Sequence, residues 1–83
     1  MTRDEIFSKV RNTLVEDFEI SPEQVTFEAT LQDDLELDSI DAIDMAVRLQ
    51  KMTGIRLEED DLKQLKTVGD TVMLVERLVA TKS

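Results

Sequence analysis

The segment "LELDSIDAIDM", residues 35–45, holds a single serine, Ser39, among four acidic residues and no basic one. A serine hydroxyl becomes a good nucleophile when an adjacent base accepts its proton. The chain contains no histidine and no Gly-x-Ser-x-Gly elbow, so the sequence argues against a serine hydrolase. Ser39 is therefore either a hydroxyl modified by another protein or a plain helix-start residue.

A calcium-binding loop is the metal chemistry that these acids could suggest. A loop begun at Asp34 would carry acids at its first, third and fifth positions. Its sixth position, which requires glycine, is Ser39, and its twelfth, which requires glutamate, is Met45. The chain also has no cysteine, which excludes disulfides and cysteine-based zinc sites. We therefore predict no metal site.

Length and charge predict one small domain, residues 1–83, with a net charge of −9. That charge argues against nucleic acid and anionic membranes as partners and favours a basic protein surface. "MTRDEIF" contains no apolar run of signal-peptide length, and no segment reaches membrane-spanning length. We expect a cytoplasmic monomer.

Capping signals and helical periodicity predict four helices, near residues 3–18, 39–52, 59–65 and a last one capped by Thr67. Thr2 and Glu5 form a capping-box signature, Asp38 is a good N-cap, and Gly54 can end the second helix. Residues 25–31 alternate as a strand would, but no second alternating run exists to pair with them. We therefore predict an all-α four-helix bundle with three longer helices, one short third helix and a long first loop.

The second helix carries two apolar stripes. On a wheel of 100° per residue, one stripe contains Met45, Leu49 and Met52, and the other, almost opposite, contains Ile40, Ile43 and Val47. A surface helix needs one such stripe. Either the helix is central and both stripes are buried, or the second stripe is a docking ridge flanked by acids.

Ser39 lies at the start of this helix, where free N–H groups and the helix dipole favour a phosphate. The neighbouring carboxylates oppose a free phosphate ligand. A phosphodiester attached covalently to Ser39 and projecting into water suffers less from them. The local physics permits a modification site without establishing one.

The stretch "DLELDSIDAIDMAVRLQ" resembles the acyl carrier protein family, whose hallmark is Asp-Ser-Leu at the start of the second helix. Ile40 stands where the family usually has leucine. The resemblance extends over the chain, from the capped first helix to "TVGDTVMLVERL" at the start of the fourth.

The resemblance implies a carrier, not an enzyme, with a 4′-phosphopantetheine arm on Ser39 that holds acyl groups as thioesters. A phosphopantetheinyl transferase would add the arm, and ketosynthases, acyltransferases, reductases or dehydratases with basic docking surfaces would use it. The implied docking residues are Asp38, Ile40, Asp41, Ile43, Asp44, Val47, Leu57 and Glu59. The aliphatic core suggests an acyl pocket formed by Met45, Leu49, Leu62, Leu65 and Val72.

The pathway stays open at this point. Fatty-acid carriers commonly continue their acids late in the second helix, where this chain has Arg48, Gln50 and Lys51. These residues either complement the helix dipole or affect partner choice. Carriers for fatty acids and for specialised polyketide or polyene synthesis both fit. The alternatives are a D-alanyl or other aminoacyl carrier, and an acidic interaction module with unmodified Ser39.

Overall fold

The first helix, α1, spans Arg3–Asp17 in the computed structural model, which describes residues 2–82. The predicted capping box is present: the Glu5 N–H donates to Thr2 Oγ1, and the Thr2 N–H donates to the Glu5 carboxylate, both at 3.2 Å. These bonds satisfy donors that a helix start leaves unpaired. The buried face of α1 presents Ile6, Val10 and Leu14 to the core.

A long loop follows α1 and contains one short 3₁₀ turn, Pro22–Gln24. Between residues 2 and 82 no strand forms, and a single antiparallel bridge joins Thr30 to Thr67. The loop backbone is satisfied instead by the turn before the last helix. The Leu31 N–H donates to the Lys66 carbonyl at 2.8 Å, and the Val68 N–H donates to the Ala29 carbonyl at 2.9 Å. The predicted extended loop is therefore hydrogen-bonded to the segment that contains Lys66 and Val68.

The remaining helices are α2 (Ser39–Thr53), α3 (Glu59–Lys63) and α4 (Val68–Lys82). α2 ends at Gly54, whose φ of 73° is the left-handed conformation that favours glycine. α3 is two residues shorter than predicted, because the Gln64 N–H turns back tightly onto the Asp61 carbonyl. No helix within residues 2–82 combines the length and apolar character needed to cross a membrane.

The core lies between α1, α2 and α4, and the loop covers it. Its most buried side chains are aliphatic, sulfur-containing or threonine: Ile6, Val10, Leu14, Met45, Leu49, Val68, Thr71, Val72 and Val75. Each fully buried aliphatic side chain contributes about 1.5–3 kcal/mol of hydrophobic stabilisation before the entropy of ordering is subtracted. The predicted all-α bundle is confirmed, and its core holds α2 with one face inward.

Two sequence-based expectations need correction. Met52 was expected on the buried stripe of α2, yet it is 42% exposed. It lies in the last turn of α2, where its sulfur meets the Thr13 hydroxyl at 3.5 Å while its outer side faces solvent. Leu57 was expected in a docking region, but its side chain is buried. The loop before α3 folds inward there, because the Leu57 N–H donates to the Gln50 side chain at 2.6 Å.

Candidate functional site

Ser39 is the first residue of α2, and a reciprocal cap fixes its position. Asp38 Oδ1 accepts the Asp41 N–H at 2.9 Å, and Asp41 Oδ2 accepts the Asp38 N–H at 3.4 Å. Two of the acids that surround the serine therefore define where the helix begins. The expectation that Asp38 caps α2 is confirmed.

The Ser39 side chain is exposed and makes no hydrogen bond to any residue from 2 to 82. No base is positioned to accept its proton, so this hydroxyl is not an activated nucleophile. The backbone N–H groups of Ser39 and Ile40 belong to the first helical turn, whose donors have no intrahelical acceptor. Asp38 satisfies the donor of Asp41 and not these two. The arrangement offers an accessible hydroxyl beside unpaired donors, which suits a covalently attached phosphodiester.

The outward face of α2 carries the α2 ridge, which we define as Ile40, Ile43 and Val47. Their side chains are 75%, 48% and 39% exposed, whereas Met45 and Leu49 on the opposite stripe are almost completely buried. The alternative in which both stripes are buried is therefore wrong. Three neighbouring apolar side chains on one exposed helix face are typical of a protein-interaction surface.

Acidic side chains border the α2 ridge at its N-terminal end. Asp38 and Asp44 are exposed and Asp41 is half-buried, while Glu59 projects from α3 into solvent near Ser39. Leu57, as described above, contributes no exposed side chain to this surface. The predicted docking residues are thus accessible, with that one exception.

Arg48 forms a contact that the sequence analysis did not predict. Its guanidinium lies 3.3 Å from Asp17 Oδ2 on α1 and 3.5 Å from Asp44 Oδ1 on α2. The second contact is an ion pair by distance, although Nε lacks the alignment of a hydrogen bond. The guanidinium carbon also lies 6.0 Å from the centre of the Phe18 ring. The four-residue spacing from Asp44 was a signal for one half of this cluster.

A cavity of about 300 Å³ opens beside Ser39, between the start of α2 and α3. Its apolar lining consists of Leu31, Leu37, Ala42, Ile43, Leu62 and Leu65. Of the predicted acyl-pocket residues, Leu62 and Leu65 therefore line the cavity. Met45, Leu49 and Val72 do not line it, because their side chains are fully buried in the packed core. Leu31 and Leu37 come from the first loop, and their position in the cavity lining depends on the tertiary fold.

The calcium-loop alternative has no support in the structure. Ser39–Thr53 is helical, so the second half of the hypothetical loop does not exist as a loop. The Asp34 carboxylate instead accepts the Thr30 N–H at 2.9 Å. Among residues 2–82 no group of three or more acidic side chains is arranged to hold a metal ion.

Comparison with known proteins gives consistent matches over nearly the full length. The family model described as "Phosphopantetheine attachment site" matches residues 8–75. "Acyl carrier protein 2" of Ralstonia nicotianae is 46% identical over 80 residues, which cover 96% of this chain and 99% of that protein. An acyl carrier protein of Thermotoga maritima is 40% identical over 76 residues, covering 92% and 94%.

Solved structures share the fold. A crystal structure of an acyl carrier protein from Thermotoga maritima superposes with a TM-score of 0.87 at 23% identity, covering 98% of this chain and 94% of that one. An acyl carrier protein from Enterococcus faecalis gives a TM-score of 0.78 at 31% identity, with 94% and 99% covered. The first of these likenesses concerns the fold alone.

Proposed function

This chain belongs to the acyl carrier protein family, and from that premise we propose that Ser39 is the residue to which its 4′-phosphopantetheine is attached. Members of the family are carriers, not enzymes, and hold the group covalently. When bound, the group supplies a terminal thiol that carries an acyl chain as a thioester. The protein itself contains no cysteine that could do so.

The observation that carries the proposal is the position of Ser39 at the exposed first turn of α2, at the mouth of the cavity. Its hydroxyl is accessible from solvent, and the neighbouring N–H groups face the same end of the helix. Because no side chain between residues 2 and 82 accepts a hydrogen bond from the Ser39 hydroxyl, we expect the transferase to provide the base. Ser39 acts as a tether and Asp38 as the cap that holds it in place.

Arm transfer from coenzyme A tests this assignment. We expect a promiscuous phosphopantetheinyl transferase to add one arm to the wild-type chain and none to Ser39→Ala, as measured by intact mass. Ser21→Ala is the matched control, because Ser21 is also exposed and precedes a helical turn, Pro22–Gln24. Modification of Ser39→Ala, or an unmodified wild type, would overturn the assignment.

We propose that partners dock on the α2 ridge and its acidic border. The apolar side chains of Ile40, Ile43 and Val47 supply contact area, and the carboxylates of Asp38, Asp41, Asp44 and Glu59 supply charge. Exposed apolar groups ringed by charges of one sign suit partners of the opposite sign. The partners expected are the phosphopantetheinyl transferase and ketosynthases, acyltransferases, reductases or dehydratases with basic docking surfaces.

We further propose that the acyl chain enters the cavity beside Ser39. Leu62 and Leu65 would contact the acyl chain, because they line the cavity that Ser39 also lines. A longer chain would have to part Met45, Leu49 and Val72, which lie beneath in the closed core. Met45 is the most adaptable of these side chains, because its unbranched thioether can repack.

Fatty-acid synthesis and specialised polyketide or polyene synthesis are both served by such a carrier, and a D-alanyl or other aminoacyl carrier is the alternative. An acidic interaction module with unmodified Ser39 is the non-carrier alternative, and the arm-transfer test separates it. Cargo loading distinguishes the pathways: malonyl, specialised acyl and aminoacyl loading enzymes would be compared on the holo protein. The cytoplasmic location, the monomeric state and the single domain over 1–83 stay predictions.

A further inference from the structure

The exposed face of α2 has two electrically different ends. Asp38, Asp41 and Asp44 lie in or beside its first two turns, and Arg48 and exposed Lys51 lie in its last two. Asp41 and Lys51 are separated by ten residues, or about 15 Å along a helix. Charges in physiological salt are screened over about 8 Å. A docking partner therefore meets an acidic patch and a basic patch, not an average of the two.

Arg48 also changes what the acidic patch offers. Its guanidinium lies between Asp44 and Asp17, 3.5 Å and 3.3 Å from their carboxylate oxygens. Asp17 is the last residue of α1, and Phe18 is the residue that caps its C-terminus. Arg48 is therefore held in place by contacts outside α2. An arginine held on two sides loses less entropy in pairing with Asp44 than a free one would. The charge of Asp44 is thereby partly neutralised within the molecule.

Helix-dipole complementarity does not account for Arg48. A cation that complements the dipole acts on the carbonyl groups of the last turn. The guanidinium of Arg48 instead lies beside Asp44, one turn toward the N-terminus, and beside α1. Lys51 does lie in the last turn of α2 and complements the dipole there. Lys51 is nevertheless exposed, and it lies on the same helix face as Ile40, Asp44 and Val47. It therefore extends the α2 ridge, and a partner that covers the ridge also contacts the charge of Lys51.

We propose that the enzyme that uses this carrier presents basic side chains to Asp38 and Asp41 and a carboxylate to Lys51, and that Arg48 weakens the contribution of Asp44 to docking. This inference rests on the proposed docking of partners at the α2 ridge. Arg48 and Lys51 are then specificity-determining residues. They disfavour partners whose docking surface is uniformly basic and favour a partner whose docking surface carries both basic and acidic side chains.

Arm-transfer kinetics with a transferase whose docking surface is uniformly basic provides the first test. Lys51→Glu should raise kcat/KM about two- to fivefold at low salt, the size of one exposed charge contact, and the gain should fade as salt is added. Lys66→Glu is the matched control, because it makes the same charge change at an exposed position outside α2. Equal rate changes in the two variants would overturn the proposal.

A double-mutant cycle tests the role of Arg48. Arg48→Gln should raise kcat/KM with the same transferase by releasing Asp44, and the gain should disappear in Arg48→Gln/Asp44→Asn. Arg48→Lys keeps the charge but not the guanidinium contacts, so it should give a smaller gain than Arg48→Gln; it serves as the folding-competent comparison if Arg48→Gln proves unstable. A gain that persists without Asp44 would overturn the proposal.

A cross-linking experiment tests which charge on the partner Lys51 favours. A thiol-to-amine cross-linker on Lys51→Cys would capture a facing lysine of the transferase, and that lysine would then be changed to glutamate. This transferase variant should modify the wild-type carrier faster than the Lys51→Glu carrier, whereas the original transferase should modify Lys51→Glu faster. An unmodified wild-type chain contradicts the Ser39 assignment itself, whereas normal modification with unchanged ratios contradicts this inference alone.

Discussion

Gly69 occupies a position in α4 where a side chain has no room. A Cβ atom built there would lie 2.5 Å from Phe27 Cε1 and 2.8 Å from the Phe27 carbonyl oxygen. That carbonyl also accepts the Gly69 N–H at 2.8 Å, so the two backbones are held together. By helix propensity alone, a glycine here would only weaken the first turn of α4. Its physical role is the close approach of the first loop to α4.

Gly69→Ala should destabilise the protein although alanine is the better helix former. The gain in helix propensity is about 1 kcal/mol, while forced overlap in a packed region costs about 1–3 kcal/mol. We expect a lower Tm, by about 4–8 °C for each net kcal/mol in a chain of this size. Phe27→Ala/Gly69→Ala should recover part of the loss, because the ring can be removed and the carbonyl cannot. A Tm equal to or above wild type for Gly69→Ala would contradict this account.

Residue-level predictions succeeded where the signal was local and failed where it was not. The Asp38 cap could be predicted because its partner, Asp41, lies three residues away. The Arg48 contact with Asp17 joins two helices that the sequence does not orient, so no spacing rule indicates it. The burial of Leu57 was missed for the same reason, because an irregular loop has no periodicity from which a facing direction follows.

At the scale of the element, α2 separates structural from docking side chains. Ile40→Ala should slow arm transfer about fivefold or more, because a dominant apolar contact in a docking surface contributes over 1 kcal/mol. Since Ile40 is 75% exposed, Tm should change little. Met73→Ala is the matched control, because Met73 is an exposed apolar residue, 52% accessible, on α4. Equal transfer rates for both variants, measured as kcat/KM, would contradict docking on α2.

Charge reversal at Asp41 is a less informative test of docking than Ile40→Ala. The Asp41 carboxylate accepts the Asp38 N–H, so a lysine there would also disturb the start of α2 and the position of Ser39. Asp44 has no capping role, and its contact is with Arg48. Effects of charge on docking are therefore separated more cleanly at Asp44 and Lys51.

The capping box of α1 gives a pH-dependent contribution whose sign follows from Glu5. Hydrogen bonds from the Thr2 backbone N–H and then the Thr2 hydroxyl lower the pKa of Glu5 below its usual 4.5. A carboxyl group with a lowered folded-state pKa stabilises the fold above its unfolded pKa. That contribution is lost as the pH falls from about 4.5 through the folded-state value.

Glu5→Gln should accordingly lower Tm at neutral pH, and the difference from wild type should narrow as the pH falls below 4.5. Glutamine keeps an acceptor oxygen, so the comparison isolates the charge. Glu16→Gln, at the other end of α1, controls for removing one acid from a chain of net charge −9. Melting curves across pH would show it, and a difference that widens in acid would contradict the assignment.

Element boundaries were predictable because caps and stops are local. The predicted helices 3–18 and 39–52 end within one residue of the observed Arg3–Asp17 and Ser39–Thr53. The loop was predictable as a loop because a lone alternating segment has nothing to pair with. Its attachment was not predictable: the Thr30 to Thr67 bridge and the Leu31 to Lys66 hydrogen bond join segments far apart in sequence.

At the scale of the whole molecule, long-range contacts hold the cavity and Ser39 together. The first loop leads directly into Ser39 and is fastened at Leu31 to the turn before α4, while Leu31 also lines the cavity. The Leu37 N–H donates to the Leu31 carbonyl at 2.8 Å, which closes the loop beside the cavity mouth. The apolar lining of the cavity is thus supplied jointly by the first loop, by α2 and by α3 with the residues that follow it. An acyl chain that enters the cavity would contact all three.

An acyl chain that occupies this cavity should therefore stabilise the fold. Each buried methylene contributes about 0.8 kcal/mol, less the entropy of ordering the chain, so a medium-length acyl group should raise Tm by several degrees over the holo form. Ala42→Phe should abolish this gain, because Ala42 lines the cavity and a phenyl ring there would fill the space. The holo form of each variant is its own reference, so any loss of stability from Ala42→Phe itself cancels. Equal Tm values for the holo and acyl forms of the wild type, with unchanged methyl NMR shifts for Leu62 and Leu65, would mean that the acyl chain stays in solvent.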